Sequence, residues 1–153
     1  GDARATDMAT QGLVNVGQLV RERRLDDGVV LIGAASYQGT VVAAPAWGEP
    51  LEEMEVPPAR PGTHEHLLHT CGMDQHLFVL PRQRTGWLEA WLGHRAIGVV
   101  YQPRMERAGN DVPTALGRRY DAFWYFARSR ALRPMARPQP PEADELETYP
   151  FGT

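Results

Sequence analysis

The residues of this chain best suited to chemistry lie in one short run, His64-Glu65-His66-Leu67-Leu68-His69. His66 and His69 stand three apart, on one face of a helix, close enough to share a metal ion. His64 sits at the expected helix start, where three neutral imidazoles could converge as a small metal hydrolase. The run is not HExxH, because Leu68 stands four residues after His64. A further ligand would have to come from His76, His94 or a remote carboxylate, and no spacing points to one. A metal site needs its ligands and their supporting shell together. The expectation is therefore surface histidines on a short amphipathic helix, with no metal and no cofactor.

Other candidates are weaker. Cys71 falls at the C-terminal end of that helix, whereas thiolates are stabilised at helix N-termini. Ser36 and Ser129 lack a GxSxG setting. Asp2 and Arg4 read as an exposed ion pair worth about 0–1 kcal/mol. Gly33 and Gly39 let backbone approach a neighbour or a ligand, and a bulged bend between strands is the simpler reading. The spacing is not that of GxGxxG, and no phosphate-cradling helix follows. The aromatic set Tyr120, Phe123, Trp124, Tyr125 and Phe126 could stack a flat ligand, but alternation along a strand favours core packing.

The elements that must position these residues follow from periodicity. Residues 6–24 read as a helix capped by Thr6 or Asp7, with Leu13, Val16, Leu19 and Val20 as its stripe. Gly12 and Gly17 each cost about 1 kcal/mol there, so close backbone approach is expected. Residues 29–32 form a continuous apolar run, the pattern of a strand covered on both faces. Residues 41–44 make a second strand. Glu49 to Gly62, rich in Glu and Pro, reads as a surface loop. Thr63 caps a helix to Cys71, with Gly72 as its terminator. Then follow a strand at 76–80, a helix around Trp87 to Leu92, a strand at 96–101, a polar loop at 104–118 and a strand at 120–126. Alternation of strands and helices predicts an α/β fold with a partial, mostly parallel sheet flanked by short helices. Such an order suits the C-terminal half of a larger α/β enzyme. Residues 1–137 are the expected folded part, and 138–153 an acidic, proline-rich tail.

Composition bounds the function. The chain has 153 residues, 42% hydrophobic and 23% charged, with a net charge of −3. That excludes wholesale disorder and argues against a nucleic-acid partner. No apolar run approaches the ~20 residues of a membrane span. All 16 basic residues are Arg, which excludes lysine Schiff-base chemistry. The single Cys71 forbids an internal disulfide and fits a reducing compartment, so a cytoplasmic location is expected. The chain opens at Gly1 with neither Met nor a leader pattern, and is expected to be a processed or excised piece.

Several stretches in the same order resemble the C-terminal half of the erythromycin esterase family. They are Gly1-Asp2-Ala3-Arg4-Ala5-Thr6, Gly12 to Glu22, Val30-Leu31-Ile32-Gly33 with Tyr37-Gln38-Gly39-Thr40-Val41, Arg95 to Tyr101 with Pro103, Arg119 to Phe123, and Glu147 to Gly152. Departures from the family pattern fall at His64, His66 and Asp111. The resemblance implies metal-independent hydrolysis of an ester, in the named members a macrolactone, by a histidine-activated water helped by Glu and Arg. The family's catalytic residues lie in its N-terminal half, and its His-Asn-x-His element lies immediately before the position of Gly1. No catalytic residue is therefore placed on this chain. Asp2, Arg4, Tyr37 and Gly39 are expected to line the substrate cleft, with Arg4 steadying its wall or an anionic intermediate. The implied partners are a small-molecule ester and an N-terminal half packed within the same protein. A non-catalytic binding module is the alternative of a different class.

Overall fold

The computed structural model describes residues 1–24 and 28–133. The acidic stretch 138–153 lies outside the described residues. The expected helix over 6–24 is broken in two. Asp2 caps a 3₁₀ turn at Ala3–Ala5, and Thr6 caps another at Asp7–Gln11, which Gly12 ends at φ 70°. Asn15 then caps α1 (Val16–Arg23) through Gln18 N–H. Gly12 thus serves as a left-handed stop. Gly17 has the close approach its cost predicts, since a Cβ there would collide with the backbone of Gly1.

Of the strand expected at 29–32 only Ile32 is in a strand; it opens one long strand, β1 (Ile32–Ala43), which also takes in 41–43 of the second. The small residues between them continue it because Gly39, at φ 144°, lies where a Cβ would meet Ser129 of the neighbouring strand. The loop expected at 49–62 contains β2 (Glu52–Val56). Its alternation buries Met54 and Val56 and exposes the acids, a half-buried edge strand. Thr63 caps α2 (His64–Thr70) as expected, and Gly72, at φ 72°, closes it. β3 (Gln75–Val79) follows.

Around Trp87 the expected helix is only a 3₁₀ turn, Gly86–Leu88, leading into β4 (Trp91–Arg95). Residues 96–101 are not a strand. They make a single parallel bridge, Ala44 to Val100, and tuck Tyr101 into the core. The loop expected at 104–118 holds three short elements: α3 (Glu106–Gly109), β5 (Asp111–Ala115) and α4 (Leu116–Arg119). β6 (Ala122–Ser129) is the last of the described elements.

The α/β class holds, as a four-stranded sheet in the order β2-β1-β6-β3 with a separate β4-β5 ribbon. The predominance of parallel pairing does not. Among the described strands only β1 and β6 pair in parallel, in the register Ile32 to Ala122, while β1-β2, β3-β6 and β4-β5 are antiparallel. The pattern misled because β1 folds directly back onto β2, and the chain between β3 and β6 builds the β4-β5 ribbon instead of a single crossover helix.

One sheet face packs on α2 through Leu68, Phe123 and Tyr125, with Leu80, Leu88 and Leu116 closing the cluster. A second cluster joins Ala43, Met54, Val56 and Tyr101. The other sheet face carries Ile32, Leu77, Val79 and Trp124, and it is open: Ile32 is 63% and Val79 80% exposed. The expected cover on both faces of β1 is thus missing. The α1 stripe is likewise exposed at Val16, Leu19 and Val20. Among the described residues, no helix is long and apolar enough to cross a membrane.

Candidate functional site

The cap at Thr63 fixes the first turn of α2 and turns Glu65 inward, where it is fully buried. Opposite it, β4 delivers His94, also buried. Glu65 Oε1 takes two hydrogen bonds, from His94 Nδ1 at 2.6 Å and from Arg95 N–H at 3.0 Å. Burial pushes the Glu65 carboxyl up, but the His94 hydrogen bond and charge outweigh it and hold the group below the ordinary carboxylate value. An ionised carboxylate only accepts, so Nδ1 must be the donor. That leaves His94 Nε2 facing the Tyr120 hydroxyl at 3.2 Å. Burial raises the Tyr120 phenol, which therefore keeps its proton and can donate to Nε2. Phe123 packs on the imidazole at 5.5 Å between centroids. Gly33 lies flat against the phenol ring: a Cβ there would come within 2.7 Å of three ring atoms. The result is a buried carboxylate–imidazole–phenol chain.

Two arginines flank it. Arg95 is saturated: it donates to the carbonyls of Ser36, Tyr37 and Pro57, each at 2.8 Å, and forks onto Glu106. It ties β1, the turn before α2 and α3 to the ribbon that carries His94. Arg119 stands differently. Its Nη1 donates to Thr114 Oγ1 at 2.8 Å, and its guanidinium lies 5.4 Å from the Tyr120 ring centre. No carboxylate pairs with it among the described residues. Gly1 seals its inner edge, where a Cβ would meet Arg119 Cγ and Tyr120 Cε1, each at 2.6 Å. A cavity of about 460 Å³ opens beside this cluster, with His94, Arg119 and Tyr120 in its wall.

The expected site residues are dispersed. Asp2 is not an exposed partner: it is 3% exposed and accepts from Arg4 N, Nε and Nη2 at 3.0, 3.0 and 2.7 Å. Burial raises its carboxyl, but those bonds and the charges of Arg4 and Arg21 hold it below the ordinary value. Asp2 and Arg4 border a shallow depression with Arg21 and Arg84. Tyr37 stacks on His69 at 3.6 Å between centroids. Gly39 packs on Ser129 and borders an open groove, not the 460 Å³ cavity.

The three α2 histidines do not converge. His64 is buried rather than on the surface, and its Nε2 donates to Thr114 O at 2.9 Å. Burial lowers its pKa and favours the neutral ring, and Nδ1 has no hydrogen-bond partner among the described residues. His66 Nδ1 faces Ala59 O, and His69 Nδ1 faces the Tyr125 hydroxyl. Among the described residues, no group of three or more His, Cys, Asp or Glu is placed to hold a metal ion. Cys71 is exposed, and Ser36 and Ser129 hydrogen-bond each other at 2.9 Å. Asp111 pairs with Arg60.

Sequence reasoning missed the Glu65–His94–Tyr120 chain. Glu65 reads as one member of a histidine run, His94 as a remote ligand and Tyr120 as a core aromatic. The one usable signal is the Thr63 cap, which places Glu65 in the first turn of a helix whose other side is polar.

A mixed α/β sheet carrying a buried carboxylate–imidazole pair beside an arginine-walled cavity defines the class. The chain belongs to the erythromycin esterase family, whose model matches residues 1–129. Two solved structures share the fold. A Bacillus cereus protein is 18% identical with a TM-score of 0.63, over 76% of this chain and 28% of its own. A succinoglycan biosynthesis protein is 18% identical with a TM-score of 0.60, over 82% of this chain and 31% of its own. This chain therefore spans less than a third of either.

Proposed function

We propose that this chain is the C-terminal part of a cytoplasmic, metal-independent ester hydrolase of the erythromycin esterase type. In that reaction a histidine removes a proton from water, and the water oxygen adds to the ester carbonyl. The tetrahedral oxyanion, held by an arginine, collapses and expels the alkoxide, which takes the proton. Acid and alcohol are the products. Where the ester is a macrolactone, ring opening gives macrolide resistance.

The observation that carries this reading is the position of Gly1. It lies against Arg119 and Tyr120, at the end of the Glu65–His94–Tyr120 chain. The family's His-Asn-x-His element precedes that position, so its histidines would enter beside Tyr120 and the Asp2–Arg4–Arg21 cluster. The rest of the longer protein would cover the open face of Ile32, Leu77, Val79 and Trp124. On this reading the 153-residue chain does not hydrolyse esters by itself.

The test is expression of the longer protein and assay against a panel of p-nitrophenyl esters and macrolactones. Turnover should withstand chelators and disappear when the histidines before Gly1 are replaced. The reading fails if the longer protein hydrolyses no ester. It fails equally if this chain alone turns over and His94→Ala abolishes the activity.

A further inference from the structure

The 460 Å³ cavity is of a size that takes a small molecule, and its wall is chemically one-sided. Among the described residues no Asp or Glu lines it. Three arginines do, and they are not equivalent. Arg95 is neutralised by Glu106 and saturated by carbonyls. Arg130 is exposed, so solvent and salt screen its charge. Arg119 is partly buried and has no ion pair among the described residues. Its Nε is sealed and its Nη1 bonds only Thr114, while Nη2 makes no hydrogen bond among the described residues. A partly buried guanidinium with an open terminal nitrogen favours an anion, and its planar end matches a carboxylate better than a spherical ion. Tyr120 and His94 also line the cavity, as do Val41 and Ile97, which pack with Val56 in one aliphatic cluster.

We infer that this cavity is a binding site for an organic carboxylate with an aliphatic body, its charge seated on Arg119. The inference rests on the hydrolase reading for its biological sense: a carboxylate of this kind is the acid released from an aliphatic ester. The binding itself needs no turnover.

Isothermal titration of the purified protein with octanoate, and with octanamide as its neutral counterpart, tests it. Octanoate should saturate one site, and octanamide should bind at least tenfold more weakly. Arg119→Gln should weaken octanoate at least tenfold, and Arg119→Lys should restore part of the loss. Arg118→Gln, which removes only a surface pair with Glu89, should change nothing. Should R119Q fold poorly, methyl spectra of the unaltered protein decide: octanoate must shift Val41, Val56 and Ile97. Equal affinity for acid and amide, no saturable site, or shifts confined to other methyls would overturn the inference. Saturable octanoate binding without ester turnover in the longer protein would leave this site standing and remove the hydrolase reading.

Discussion

Replacing Glu65 by Gln removes a charge from the most enclosed polar contact of the fold while leaving its shape. Oε1 receives two donors, His94 Nδ1 and the Arg95 amide, so both bonds change from charge-assisted to neutral. Hydrogen bonds to a charged group contribute about 1.5–3 kcal/mol and neutral ones about 0.5–1.5, so the two changes together cost about 2–3 kcal/mol. With a urea slope of about 1–3 kcal/mol per molar, the midpoint should fall by about 1 M at pH 7. Glu65→Ala orphans both donors at about 1–3 kcal/mol each, and should cost about 2–6 kcal/mol. The pH dependence carries the sign. The folded carboxyl lies below its unfolded value, so its contribution is complete above the unfolded pKa near 4.3 and is lost as pH falls through the folded one. Glu65→Gln lacks that component, and the gap between the two proteins should narrow between about pH 5 and pH 3. Urea unfolding at low micromolar concentration, followed by tryptophan fluorescence, reads both effects. A gap under about 0.5 kcal/mol at pH 7, or one unchanged down to pH 3, would refute the assignment of Glu65 as an ionised acceptor.

Gly33→Ala pushes a methyl into the Tyr120 ring and should cost about 1–3 kcal/mol, visible as a lowered melting temperature; an unchanged value would mean the ring is free to move. Arg95→Lys cannot span three carbonyls and Glu106 together, and should cost at least about 2 kcal/mol in urea unfolding. His64, neutral by burial, should lose stability as pH falls below its unfolded value near 6.5, and His64→Phe should remove that part of the acid limb. Light scattering should show this chain self-associating, and Leu77→Glu with Val79→Lys should reduce the association; equal scattering would place the contact elsewhere.

What the sequence makes legible here is what local chemistry decides. The Thr63 cap, the Gly72 stop and strand β3 appear where spacing predicts them, because caps and short alternations act within a few residues. The 3₁₀ breaks before α1 escape notice because the stripe of Leu13, Val16, Leu19 and Val20 matches a buried helix face, yet in this chain it is exposed. β5 hides in a polar segment because its partner, β4, supplies the pairing. The Glu65–His94–Tyr120 chain joins positions 26 and 29 apart, contributed by a helix, a ribbon and the residue after α4. No local pattern encodes such a meeting; only the packing of α2 across the sheet creates it.

The place of β6 has a consequence for how the chain reaches its fold. It is the last of the described strands but lies inside the sheet, between β1 and β3. Its parallel partner begins 90 residues earlier, at Ile32 against Ala122. Until Ser129 has left the ribosome, β1 and β3 each present an unfilled edge, and Phe123 and Tyr125 are missing from the core. At about 5–20 residues per second, that exposure lasts several seconds during synthesis. Contacts so distant in sequence also close slowly once the chain is free. A stop before β6 therefore removes the middle of the sheet, whereas one shortly after Ser129 spares every described strand.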